Sequence, residues 1–226
     1  MDRASLLFVH GWATDNWVWD GICDEITKGR TFYNIDLPGH GGQEKWDEPT
    51  LSPALREIEK RTSGAASGSI IGIGWSLGAE ALIASIAESP ERFKALVLVS
   101  GTPSFIAKND FPYGQPGGLV KRMMLDMKKS PEETLKRFYA LNFTEEEMKS
   151  REAKEFTLRY KYPGPLDCEL KEGRAPGCFP AFNYEEITTA LEALYRTDLR
   201  EKLGKLVLPA LVIHGALDAI TPEEAG

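Results

Sequence analysis

Apolar positions in this chain come as short unbroken runs, separated by segments in which they recur every three or four residues. The runs are Leu6-Leu7-Phe8-Val9, Thr31 to Ile35, Ser69 to Ile73, Lys94 to Val99 and Leu206 to Ile213. Each suits a strand buried on both faces. Pro209 is expected at the entrance of the last one. Residues 16–28 place Trp17, Val18, Ile22 and Ile26 on one side of a helix, and Ser52-Pro53 opens another that runs to about Lys60. Ala79 to Ala84 predicts a third. Strands alternating with helices predict a mostly parallel, doubly wound α/β sheet.

Residues 104–192 break this rhythm. Ser130-Pro131-Glu132-Glu133 reads as a capping box, with Leu135, Phe138 and Tyr139 following on one face. Thr144-Glu145-Glu146-Glu147 reads as a second box, opening a helix with Met148 and Phe156. Pro163, Pro165, Pro176 and Pro180 then punctuate a loop. The pattern predicts a core built from residues 1–103 and 193–226, with a helical insertion at 104–192 acting as a lid. Thr221-Pro222-Glu223-Glu224 carries one more helix-start signature two residues before the sequence stops, too short to hold a helix. The expectation is a chain cut short at its C-terminus, with a C-terminal strand and helix missing.

The most specific chemistry lies in Gly74-Trp75-Ser76-Leu77-Gly78, between the third run and the third helix. G-x-S-x-G in a strand–turn–helix setting is a nucleophile elbow, and it makes Ser76 the candidate nucleophile. Glycines two residues to either side remove a collision with the backbone of the tight turn. An oxyanion hole needs two backbone donors. Leu77 N–H, just after the nucleophile, is one candidate, and Trp12 N–H in His10-Gly11-Trp12 after the first strand is the other. Asp218, just past the fifth strand in His214-Gly215-Ala216-Leu217-Asp218, is the candidate triad acid. Its histidine is harder to place. On this fold the order is Ser, acid, His, yet His10, His40 and His214 all precede Asp218. A histidine about 30 residues further on is the expectation, by ordinary element and loop lengths. His10 and Trp75 are expected at the substrate pocket.

Composition narrows the classes further. The formal charge of −7 argues against a nucleic-acid partner. No apolar run is long enough to span a membrane, and Met1 to Ser5 leads into the first strand without the regions of a signal peptide. A cytoplasmic location is expected. Cys23, Cys168 and Cys178 are odd in number and lack metal-ligand spacing, which reads as reduced thiols and no metal. No dinucleotide fingerprint or phosphate loop is present, so no cofactor is expected.

His10-Gly11-Trp12, Asp36-Leu37-Pro38-Gly39-His40-Gly41, the elbow and His214-Gly215-Ala216-Leu217-Asp218 together resemble the α/β-hydrolase fold. Among its members the chain is most similar to the pimeloyl-acyl-carrier-protein methyl ester carboxylesterases of biotin synthesis. The tryptophans after His-Gly and before the nucleophile carry that likeness, with Glu133 to Leu141 and Thr197-Asp198-Leu199-Arg200. The resemblance implies a serine esterase acting through an acyl-serine, with Ser76, Asp218, Trp12 and Leu77 in the roles above. It also implies acyl carrier protein as substrate carrier. Residues 121–161 hold eleven Lys or Arg and eight Asp or Glu, a net of +3, which leaves −10 for the remainder. A basic insertion suits an acidic carrier, and Arg137, Arg151, Lys154, Arg159 and Lys161 are the expected contacts. Two other classes fit the same pattern: another lidded α/β-hydrolase, such as a lactonase or C–C bond hydrolase, or a triad-deficient hydrolase fold used as a binding module.

Overall fold

The computed structural model describes residues 4–41, 44–160 and 182–226. Lys161, the prolines at 163, 165, 176 and 180, Cys168 and Cys178 lie outside the described residues.

Five strands, β1 (Ser5–Val9), β2 (Phe32–Ile35), β3 (Ile70–Trp75), β4 (Phe93–Val99) and β5 (Ala210–Ile213), form one parallel sheet in the order β2-β1-β3-β4-β5. The alternation of side chains along a strand explains why both faces are covered. Leu7, Val9 and Ile70 join one buried cluster with Ile58 of α2 (Ser52–Arg61) and Leu82 and Ile86 of α3 (Leu77–Glu88). Their neighbours Leu6, Phe8 and Ile73 face the other way, onto Trp19 and Cys23, the latter on α1 (Asp20–Ile26). The predicted helix over 16–28 is two pieces: a 3-10 turn at Asn16–Trp19 and then α1. The fifth strand is shorter than its apolar run, because Pro209 has no N–H for a ladder and pairing starts at Ala210. β5 pairs on one side only, leaving Leu211, Val212 and Ile213 about half exposed.

Between β4 and β5 lie α4 (Gly117–Lys129), α5 (Pro131–Ala140), α6 (Arg151–Tyr160) and α7 (Tyr184–Arg196), with a short α8 (Arg200–Leu203) after them. α4 packs on α5 and α7, and α5 on α6. Helix α7 crosses the boundary expected at residue 192. The two predicted boxes fare differently. Thr144 and Glu147 exchange the reciprocal bonds, Thr144 N–H to Glu147 Oε2 at 2.8 Å and Glu147 N–H to Thr144 Oγ1 at 3.2 Å. They open only a 3-10 turn, because Ser150 is extended (ψ 162°) and α6 restarts after it. Ser130 makes no side-chain cap; its carbonyl accepts from Thr134 instead.

Candidate active site

The strand order 2-1-3-4-5 reverses direction between β1 and β3. A crevice opens there at the carboxyl ends of the strands, the usual ligand position in an open parallel sheet. Val9 pairs with Gly74, so the loop after β1 and the elbow after β3 lie side by side. Three described non-glycine residues have positive φ: Ala13 (54°), Ser76 (52°) and Ser100 (45°). They follow β1, β3 and β4, so backbone strain is concentrated where chemistry would occur.

Ser76 sits at φ 52°, ψ −115°, a region that costs an L-residue about 1–3 kcal/mol. The surroundings hold it there. Its N–H donates to Val99 O at 3.0 Å, and its carbonyl accepts from Ala79 at 2.8 Å and Glu80 at 3.1 Å. The flanking glycines are required by close approach: a Cβ on Gly74 would lie 2.6 Å from Gly78 C, and one on Gly78 would lie 2.2 Å from Val9 O. Leu77 is the first residue of α3 and fully buried, and its N–H meets no acceptor among the described residues. The Trp12 N–H also meets none. The two backbone donors expected at an oxyanion hole are thus left unpaired.

A cavity of about 600 Å³ opens over the elbow, lined by Gly11, Trp12, Trp75, Ser76, Phe138 and Asp218 among others. Trp75 also borders a second cavity of about 710 Å³, walled by Trp17, Phe143 and Phe156. Asp218 Oδ1 caps its own turn, accepting from Ile220 N–H at 2.9 Å and Thr221 N–H at 2.8 Å. Its Oδ2 accepts no hydrogen bond among the described residues and stands 3.9 Å from His214 Nε2, too far for one.

None of the three histidines lines the Ser76 cavity. His214 has Nε2 2.7 Å from Thr221 O, and its Nδ1 is buried without a partner. His40 is fully buried, with Nδ1 2.7 Å from Pro38 O; burial and the neighbouring His10 push its pKa down to about 3. His10 was expected at the pocket but is enclosed behind it, 0 % exposed. Its Nε2 accepts from Leu37 N–H at 2.9 Å, so Nδ1 carries the proton and donates to Gly11 O at 2.8 Å. Burial lowers its pKa against the opposing pull of Asp36. Thr14 Oγ1 donates to the same Gly11 O at 2.9 Å. The peptide is planar, so fixing Gly11 O on this side turns the Trp12 N–H to the other. His10 is bonded to backbone through both ring nitrogens and does not line the cavity.

The expected cationic contacts also divide. The side chains of Arg137 and Arg151 are 65 % and 83 % exposed, and Lys154 is exposed. Arg159 is not part of that surface. Its guanidinium is paired with Asp15 in the cleft between α6 and the loop after β1. Nothing local in the sequence signals that contact, since its partners are 144 residues apart. A buried carboxyl on α3, Glu80, also went unmarked, because in sequence it reads as an ordinary first-turn acid.

A model of the alpha/beta hydrolase fold family matches residues 4–226. The chain is 31% identical over 220 residues to a pimeloyl-[acyl-carrier protein] methyl ester esterase of Nitrosomonas europaea, covering 97% of this chain and 79% of the relative. It is 28% identical over 222 residues to the protein of the same name from Klebsiella pneumoniae, covering 97% and 77%. Among solved structures, an esterase from Exiguobacterium antarcticum superposes with a TM-score of 0.76 at 17% identity, covering 99% of this chain and 78% of that one. An enol-lactonase from Burkholderia xenovorans superposes with 0.73 at 17% identity, covering 95% and 74%.

Proposed function

The chain belongs to the α/β-hydrolase fold family, and from that membership we propose that it is a serine carboxylesterase cleaving the methyl ester of pimeloyl-acyl carrier protein. The observation that carries the proposal is the elbow itself. Ser76 stands strained at the mouth of the β1/β3 crevice, beside two unpaired backbone donors and in a cavity shared with Asp218. In this reading Ser76 Oγ attacks the ester carbonyl carbon and loses its proton to a base. The carbonyl oxygen becomes an oxyanion held by Leu77 N–H and Trp12 N–H. Collapse expels methoxide, which takes the proton from the base and leaves as methanol, and water then releases the acyl group from Ser76 by the same steps. Asp218 Oδ2 is the carboxylate available to orient an imidazole.

The helices between β4 and β5 act as a lid in this reading. The names of the two relatives support the carrier-linked substrate, and the exposed cations of the insertion support a docking surface for an acidic carrier. Arg151 pairs with Glu155 at an exposed site, and Arg137 with Asp126 and the Thr134 hydroxyl; the arginine heads are exposed, and such contacts are worth little in water and easily exchanged for a partner's carboxylates.

Two measurements test the reading. Methanol release from methyl-pimeloyl carrier protein should be lost in Ser76→Ala, and an unchanged rate would remove Ser76 from the chemistry. Reversing Arg151 and Lys154 to Glu should slow the carrier-linked substrate at low salt while sparing dimethyl pimelate, with the difference fading as salt rises. Equal losses on both substrates would assign those residues to the fold instead.

A further inference from the structure

The loop that follows β1 is held from the insertion at three of four successive residues, by three different helices. The Trp12 indole N–H donates to Ile187 O of α7 at 2.6 Å. The hydroxyl of Tyr139, on α5, donates to Ala13 O at 2.6 Å. The hydroxyl of Tyr160, on α6, donates to Asp15 Oδ1 at 2.7 Å and accepts from Asp15 N–H at 3.3 Å. Arg159, beside it on α6, pairs its guanidinium with the same carboxylate, its Nε 3.3 Å from Oδ1, and lies over the Trp17 ring at 4.9 Å. Burial is the largest influence and opposes the Arg159 charge, but the hydrogen bond and charge of Asp15 and the contacts with Tyr160 together outweigh it and hold the guanidinium above its usual range. Burial also pushes both phenols well above theirs, so each remains a neutral donor across the working pH range.

These bonds act on a strained segment. Ala13 has φ 54°, a conformation that an L-residue keeps only when its surroundings impose it. The core side supplies part of the restraint: His10 and Thr14 on Gly11 O, and Asp36 Oδ1 accepting from Asn16 N–H at 2.8 Å. Between those anchors, Trp12, Ala13 and Asp15 are bonded by the insertion. Neither Tyr139 nor Tyr160 lines the Ser76 cavity, so neither is placed to touch substrate there.

We propose that Tyr139, Tyr160 and Arg159 are positioning residues, which fix Ala13 and Asp15 from the insertion and so hold the loop that presents the Trp12 N–H to the developing oxyanion. The donor is then in place only while α5, α6 and α7 are docked on the core. A partner bound to the outer faces of those helices would act on turnover and not only on substrate capture. The inference rests on the serine-esterase reading for its chemistry, though not for its geometry.

The test uses Tyr139→Phe and Tyr160→Phe, each of which keeps the ring and removes one hydroxyl. Amide hydrogen exchange of a peptide spanning residues 10–17 should speed up in both variants, while exchange in β1, β3 and β4 stays as it was. Hydrolysis of p-nitrophenyl butyrate should lose about tenfold in kcat with KM within twofold, less than the 10²–10³ lost when an oxyanion donor is removed outright. Arg159→Gln is the second variant should a phenylalanine substitution fail to fold, and Arg159→Lys should recover part of its loss. Unchanged exchange in residues 10–17 would overturn the proposal. Faster exchange with unchanged kcat would overturn it too, since the loop would then move without consequence for turnover. Ser76→Ala in the same assay separates the two readings: retained hydrolysis there defeats the nucleophile assignment, while the exchange data still decide whether the insertion holds the loop.

Discussion

One turn beyond Ser76, Glu80 is 1 % exposed, and its Oε2 has no donor among the described residues. A first-turn carboxylate normally gains about 0.3–1 kcal/mol from the helix dipole. Removing a charge from water costs several kcal/mol, so burial wins. Burial, with the charge of Asp198 adding to it, pushes the Glu80 pKa well above its ordinary 4.5. Above pH 4.5 the folded protein therefore holds a proton that the unfolded chain has released, and stability falls as pH rises towards the folded-state pKa. Glu80→Gln removes that dependence. The variant should gain on the natural sequence steadily from pH 5 to pH 8, by several degrees in Tm, about 2–4 °C corresponding to each kcal/mol at this chain length. Thermal melts across that range check it, and a constant difference would mean that Glu80 is ionised in the fold. His40 has the opposite sign. Its pKa is lowered to about 3, so its contribution is whole above pH 6.5 and is lost progressively as pH falls from there to about 3.

At the scale of the element, α7 shows what a local signal can decide. Asn183 Oδ1 accepts from Glu185 N–H at 3.1 Å and Glu186 N–H at 3.2 Å, satisfying two donors that the helix cannot pair itself. Asn183→Ala should cost about 1 kcal/mol. Because Trp12 is bonded to Ile187 one turn on, exchange near Trp12 should rise with it. An unchanged Tm would show that packing alone holds the start of α7. The strands, the elbow and the Asp218 turn were legible in sequence because each is written in a few adjacent residues: an apolar run, paired glycines, an acid after a strand. α4 was not. It opens on Pro116-Gly117-Gly118 without a polar cap, and only Val120 and Met127 of its apolar residues are fully buried. The Thr144 box was legible and real, yet it could not tell that Ser150 would break the helix after one turn. The contacts of Asp15 with Arg159 and Tyr160 are long-range, so no window of sequence contains them.

At the scale of the molecule, the proposed site brings together a serine, two unpaired backbone donors and a carboxylate, with no histidine among the described residues that line its cavity. None of the three histidines lines the Ser76 cavity, and His10 and His40 are committed to backbone partners. Turnover by these residues alone should stay at the residual level of dissected triads, about 10³–10⁴-fold over water. Imidazole added to the assay should enter the open cavity, stand against Asp218 Oδ2 and act as base. The Ser76-dependent hydrolysis of p-nitrophenyl butyrate should then rise on the order of tenfold or more, general-base catalysis being worth roughly 10²–10⁴-fold. Asp218→Asn retains the oxygen that caps its turn and should blunt that rise. An equal increment in Ser76→Ala would mean that imidazole is acting on the ester in solution, and that the cavity plays no part.

The backbone of Ser76 sets the interests of folding against those of chemistry. Its φ of 52° is a conformation glycine adopts without penalty, and serine keeps it only because Val99, Ala79 and Glu80 hold it there. Ser76→Gly should therefore melt higher than the natural protein, by several degrees if most of the roughly 1–3 kcal/mol of strain is released, while ester cleavage disappears with the hydroxyl. On the esterase reading, a protein under selection for thermal endurance alone would discard this serine at the first opportunity, and its presence records a trade of robustness for reactivity.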